Sequence, residues 1–252
     1  MPLWPDLTKR DLRPELMDQD GLDADEHRQA LSALGRVNLL SGSAAILWPA
    51  IQRLGRSLDR PLTLLDIACG GGDVTVGLSN RARRGKVDLE ILGVDKSAVA
   101  IEVARRRASG AGKRARFETM DVLQGPLPSG FDIVTCSLFL HHLSREAAVS
   151  LLRRMADAAS HLVLVNDLRR STAGYLAAKA GCQILTRSYM VREDGPQSVE
   201  AAFTIDEAAA LCDDAGLAGC EIKPRWPFRF LLVWKRLEPP ASHQESGRAP
   251  NP

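Results

Sequence analysis

The chain has 252 residues, 45% of them hydrophobic, with 33 basic against 31 acidic side chains. That length suits one sizeable core, and the balanced charge gives no electrostatic case for nucleic acid. No apolar run reaches the roughly 18 residues of a membrane span, so none is expected.

Residues 1–25, with Pro2, Pro5 and Pro14 and many charges, read as an N-terminal arm without the apolar core of a signal peptide. Residues 26–237 read as one domain, opening with helices over 26–60. Leu47, Ile51, Leu54 and Leu58 form an apolar stripe there, and Ser41-Gly42-Ser43 breaks the run into two helices. These helices either cover a ligand site or simply pack on the sheet.

From Leu62 strands and helices alternate. Strands are expected at Leu62 to Ala68, Leu89 to Asp95, Ala115 to Met120, Phe131 to Ser137 and His161 to Asn166. Helices are expected at Asp73 to Arg84, Ser97 to Ser109 and Ser144 to Ser160. The alternation stops at Asp167. Residues 168–203 hold a helix, Gly174 to Thr186, then a loop with Arg192-Glu193-Asp194-Gly195-Pro196, too long for a routine connection. Thr204-Ile205-Asp206-Glu207 is a capping box that restarts a helix. Two strands, Cys220 to Lys223 and Phe228 to Trp234, close the domain, and 238–252 is expected to be a disordered tail. The pattern gives an α/β, doubly wound sheet. Five scattered cysteines form no C-x-x-C, which fits reduced thiols and a cytoplasmic protein.

The segment Leu64 to Thr75 runs from a buried strand through Gly70-Gly71-Gly72 into a helix, where backbone approaches a ligand closely. The third glycine of a dinucleotide fingerprint would fall at Thr75, which speaks against a nicotinamide-dependent reductase. Asp66 sits inside the strand, where a charge needs a reason, and would suit a cationic ligand better than a pyrophosphate.

This stretch resembles motif I of the class I S-adenosylmethionine-dependent methyltransferases, acidic-x-Gly-x-Gly-x-Gly, with Ala68 in place of the first glycine. Alanine adds only one methyl, so the departure is read as small. The resemblance covers about residues 62–236. It implies a Rossmann-like, seven-stranded, mostly parallel sheet with one antiparallel strand near the C-terminus, N-terminal helices and a helical lid at 168–203. It is similar to bacterial small-molecule methyltransferases of the quinone and polyketide pathways, which share the run Leu138-Phe139-Leu140-His141-His142-Leu143. What it implies for the cofactor is that Asp66, Ala68, Gly70 and Gly72 line the methionine part and ribose of S-adenosylmethionine. Asp95, with Lys96 beside it, would bind the ribose hydroxyls, Asp121 and the Val122 backbone the adenine, and Ser137 the sulfonium region.

His141 and His142, just past the fourth strand, are the catalytic candidates, since histidine takes a proton near neutral pH; each alternatively caps or packs against the next helix. No metal site is expected, because neighbouring side chains point apart and no third ligand is spaced nearby. Arg169 and Arg170 would hold an acceptor carboxylate or oxygen, or else pair with Asp167 or the acids of the insert. Tyr175, Tyr189, Trp226 and Phe228 would line the acceptor pocket. The expected activity is methyl transfer to a small, largely apolar acceptor, a phenolic hydroxyl first. The alternatives are carbon methylation of a phenol or quinol ring, and a non-catalytic cofactor-binding subunit. The only partner expected is a small molecule, with a homodimer compatible.

Overall fold

The chain is described by a computed structural model that covers residues 5–18, 22–109 and 114–236. The expected tail, 238–252, lies outside the described residues.

Among the described residues the strands are β1 (Leu62–Ile67), β2 (Leu89–Asp95), β3 (Ala115–Thr119), β4 (Phe131–Ser137), β5 (Ala159–Leu168), β6 (Glu221–Arg225) and β7 (Arg229–Lys235). They form one sheet in the order β3-β2-β1-β4-β5-β7-β6. β1 pairs in parallel with β2 and β4, and Leu65 sits in register with Leu92 and Val134. Only β7 is reversed, antiparallel to both β5 and β6. Leu62, Leu64, Leu65 and Ile67 of β1 are fully buried, as a central strand covered on both faces requires.

The helices are α1 (Ala24–Leu40), α2 (Ser43–Ser57), α3 (Asp73–Gly85), α4 (Ala98–Ala108), α5 (Arg145–Ala158), α6 (Thr172–Leu185), α7 (Tyr189–Ala201) and α8 (Ile205–Ala215). One face of the sheet carries α5 and α8, with Leu151, Leu152, Met155 and Leu211 in the core. The other carries α2 and α3, through Leu47, Ile51, Val74 and Leu78. The predicted break falls at Gly42, which holds φ 71° at the start of α2. The helix before β5 ends two residues earlier than expected, because Ala159 already pairs with Phe131. The capping box of α8 is formed as predicted, Thr204 and Glu207 each accepting from the other's backbone.

One expected loop is a helix. Arg192 to Pro196 lie inside α7, which carries Pro196 within it. Gly195 is there for closeness, since a Cβ would collide with the Cys182 sulfur of α6. Asp194 is buried and accepts from the backbone of Leu16 and Met17, 2.9 and 3.1 Å away, at a short 3-10 turn (Leu16–Asp18). Tertiary contact thus overrides the loop-forming composition of this stretch. Residues 5–18 run across α7: Arg10 donates to the Ala201 and His141 carbonyls, 2.5 Å each, and Arg13 pairs with Glu200.

Candidate active site

At the carboxyl end of β1 the chain turns through Ala68 (φ 51°), Gly70 (φ 52°) and Gly72 (φ 71°) into α3. A Cβ on Gly72 would stand 2.8 Å from the Ala104 Cβ and 3.0 Å from the Phe117 ring, so the loop lies hard against its neighbours. A Cβ on Gly70 would meet nothing within 4 Å; that side of the loop is open. Ala68 corrects the expectation that its methyl is a small matter. It holds a left-handed backbone, which costs an L-residue roughly 1–2 kcal/mol.

Asp66 does not face the open side. It is buried and accepts from Thr75 Oγ1 at 2.5 Å and Thr135 Oγ1 at 3.0 Å. Burial pushes its carboxyl up to about 6, with the two hydroxyls opposing. It ties α3 and β4 to β1 beneath the loop, and the ligand-lining role expected for it is corrected to that of a fastener. Asp95 accepts from Gly70 N at 2.8 Å and Ser97 N at 2.9 Å, holding the loop to the start of α4. Lys96 is exposed beside it. Asp121 is exposed and accepts from Leu123 N at 2.9 Å, while the Val122 side chain is in the core. Ser137 ends β4 in register with Asn166 of β5. The Ser137 hydroxyl and both amide atoms of Asn166 are buried without a protein partner. Buried polar atoms of this kind normally have one.

Beyond β4 and β5 lies a cavity of about 340 Å³. Its walls include Leu138, Leu168, Val199 and Phe228. The α6 wall is built from Gly174, Ala177, Ala178, Gly181, Cys182 and Leu185, one helical stripe made almost wholly of small residues. Asn38 of α1 also lines the cavity. Leu138 and Phe228 both hold positive φ, 56° and 49°, strain of the sort found at ligand sites.

One polar corner of this cavity holds both histidines. His141 and His142 sit on a 3-10 turn (Leu140–His142), with ring centroids 4.3 Å apart. His141 Nδ1 is 2.6 Å from Asp167 Oδ1. Asp167 is buried at the end of β5 and also accepts from the backbone N–H groups of Phe139, Leu140 and Leu168. Burial raises its carboxyl, but the His141 charge and hydrogen bond and the Leu168 N–H outweigh that, and it sits below the usual range. Glu15, buried on the arm, brings Oε1 to 3.8 Å from His141 Nε2 and Oε2 to 3.9 Å from His142 Nε2. Ser198 of α7 donates to Glu15 Oε1 at 2.5 Å. The expectation that the two histidines diverge, with no third group at hand, is corrected here. The 3-10 turn brings the rings together, and the third group arrives from the arm, with no spacing signal to reveal it.

Trp226 and Phe228 line the cavity, because β6 runs parallel and puts its turn on the carboxyl edge. The other acceptor residues are corrected. Arg170 is buried and clamped to Glu207, with 2.6 and 2.8 Å bonds, and to the Leu7 and Ala202 carbonyls, so it fastens α8 and the arm. Arg169 is not among the cavity's lining residues, and its Nε is buried without a protein partner. Tyr175 turns to the other side of α6, against Pro5 to Thr8 of the arm. Tyr189 is 70% exposed.

Residues 64–161 match the model of a family described as a methyltransferase domain. The ubiquinone biosynthesis O-methyltransferase of Serratia proteamaculans is 29% identical over 145 residues, 54% of this chain and 54% of that protein. A demethylmenaquinone methyltransferase of Thermus thermophilus is 32% identical over 130 residues, 50% of this chain and 57% of that one. The chain thus spans about half the length of the curated relatives it matches. Among solved structures, the S-adenosylmethionine-dependent methyltransferase SibL in its apo form superposes with a TM-score of 0.61 at 22% identity, covering 80% of this chain and 56% of that one. With the observed strand order, the chain carries a methyltransferase domain within the Rossmann-like fold of the S-adenosylmethionine-dependent methyltransferases.

Proposed function

We propose that the protein transfers the methyl group of S-adenosylmethionine to a small, largely apolar acceptor, by preference the hydroxyl of a phenol. The observation that carries this reading is the largely apolar cavity with a Glu15–His141–His142 corner, on the same sheet edge as the glycine loop. A binding-only subunit would need neither.

The residues present fit the cofactor. Gly70 leaves open space, Asp95 and Asp121 stand at successive strand ends, and the orphan atoms of Ser137 and Asn166 call for a polar ligand. When bound, S-adenosylmethionine supplies an electrophilic methyl on a cationic sulfur. Asp95 accepts from the ribose hydroxyls, Asp121 from the adenine amine, and the backbone at Val122 borders the ring. Residues 168–203 act as a lid that aligns the acceptor and keeps water out. His142 Nε2 takes the hydroxyl proton, and Asp167 fixes its neighbour His141.

The test is calorimetry with S-adenosylhomocysteine, followed by a screen of phenols with labelled donor. Tighter binding of NADH than of S-adenosylhomocysteine would overturn the reading. The position of the labelled methyl in the product separates oxygen from ring-carbon methylation.

A further inference from the structure

We propose that Glu15, His141 and His142 form a binding site for a zinc-class divalent cation, and that the cation competes with the acceptor instead of assisting it.

The donor set is the first argument. Two imidazoles and one carboxylate, with further space on the cavity side, are the ligands of three-coordinate protein sites that leave a position open. One ligand atom from each of the three residues can be chosen so that all lie within 4.8 Å of one another. Zinc held at about 2.0–2.2 Å from tetrahedral N and O ligands sets those atoms roughly 3.3–3.5 Å apart. Glu15 Oε1 is 3.8 Å from His141 Nε2 and Oε2 is 3.9 Å from His142 Nε2, too long for hydrogen bonds, so the three side chains would have to draw in to close on an ion.

The second argument is the outer shell. Asp167 accepts from His141 Nδ1, which leaves the Nε2 lone pair pointing to Glu15. A carboxylate behind a ligating histidine both fixes the tautomer and strengthens the ligand. Ser198 plays the matching part for Glu15, donating to one carboxylate oxygen. Both carboxylates are buried, so a cation would meet two negative groups in a poorly solvated corner.

The competition follows from the same geometry and, unlike the binding, rests on the function proposed above. A cation on the two Nε2 atoms occupies the lone pairs that would take the acceptor's proton. It also fills the corner where both histidines meet the cavity.

The experiment titrates the metal-free full chain with Co²⁺, read by visible absorption, and with Zn²⁺, read by calorimetry, in the absence of donor and acceptor. One equivalent should bind with a tetrahedral nitrogen–oxygen spectrum. Glu15→Gln and His142→Ala should each weaken binding at least tenfold, and Asp167→Asn about 10- to 100-fold, with unchanged circular dichroism. The Cys212–Cys220 pair, whose sulfurs lie 2.9 Å apart, is the rival site, so Cys212→Ser must leave binding intact. Absence of one-equivalent binding, wild-type affinity in both Glu15→Gln and His142→Ala, or loss of binding in Cys212→Ser would overturn the site. In the methyl-transfer assay Zn²⁺ should raise the KM for acceptor and leave that for donor unchanged; inhibition indifferent to acceptor concentration would overturn the competition. Because the titrations contain no substrate, their failure is distinct from failure of the proposed function.

Discussion

The buried carboxylate of Asp66 makes the stability of the fold depend on pH in an unusual direction. Burial raises its pKa to about 6, against the lowering effect of the Thr75 and Thr135 hydroxyls. An aspartate in the unfolded chain titrates near 3.9. The folded state therefore holds the proton more tightly. Its contribution is fully present below about pH 4 and is lost as the pH rises through about 6. Two units at about 1.4 kcal/mol each amount to about 3 kcal/mol. Asp66→Asn cannot titrate and removes this term while leaving every other titrating group in place. Urea unfolding of both proteins at about pH 4, 5, 6 and 7 isolates it. The stability of the native protein relative to the variant should fall by about 2 kcal/mol over that range, since part of the loss has already occurred at about pH 4. Thr135→Val, which deletes one of the two opposing hydroxyls, should push the fall to higher pH. A difference constant to within about 0.5 kcal/mol would refute the reasoning, and with it the view that Asp66 is a desolvated fastener.

Ala68→Gly relieves a left-handed alanine and should raise stability by about 0.5–1 kcal/mol in thermal melts, the reverse of what glycine does at most positions. Asp95→Ala should weaken S-adenosylhomocysteine binding by about 1–3 kcal/mol in calorimetry and also loosen the loop, since Gly70 and Ser97 lose their acceptor; unchanged affinity would remove Asp95 from the ribose site. His142→Ala should cut turnover about 100-fold or more with donor affinity unchanged, and full activity from about pH 6 to 9 would leave alignment alone to explain catalysis. Gly181→Leu projects a side chain from the small-residue wall of α6 and should raise the acceptor KM, with S-adenosylhomocysteine affinity and melting temperature unaffected; an unchanged KM would place the acceptor elsewhere.

The sheet was legible because local signals and global fold agree. Apolar runs bounded by Gly70, Asp95 and Asp121 give strands, and the capping box at Thr204 starts α8 where it stands. The ligand edge could be read from strand-end residues for the same reason. What escaped was long-range. Gly195-Pro196 has the composition of a loop, yet α7 holds because Cys182 packs against Gly195 and Asp194 holds the arm. Arg170 looked like a substrate ligand from its place after β5, but Glu207, thirty-seven residues on, takes its guanidinium. Tyr175 and Gly174 are adjacent in sequence, and only the helix phase decides which one meets the cavity. Glu15 carried no signal at all, because nothing in a charged, proline-bearing arm marks which carboxylate will be buried.

The arm also decides the order in which parts of the molecule come and go. Arg10 and His141 are 131 positions apart in the chain and meet only when the sheet is already built. The segment from Pro5 to Asp18 contains no strand or long helix of its own and is held from outside, by hydrogen bonds to α7 and its neighbours, by Arg10 over the Phe203 ring and by Met17 against a small apolar cluster. Such a segment opens at a lower free energy than the strands beneath it. Mild heat or denaturant should therefore strip Glu15 from the corner while β1, β4 and β5 stay paired. Amide exchange would register two cooperative units, a fast one at the arm and a slow one in the sheet.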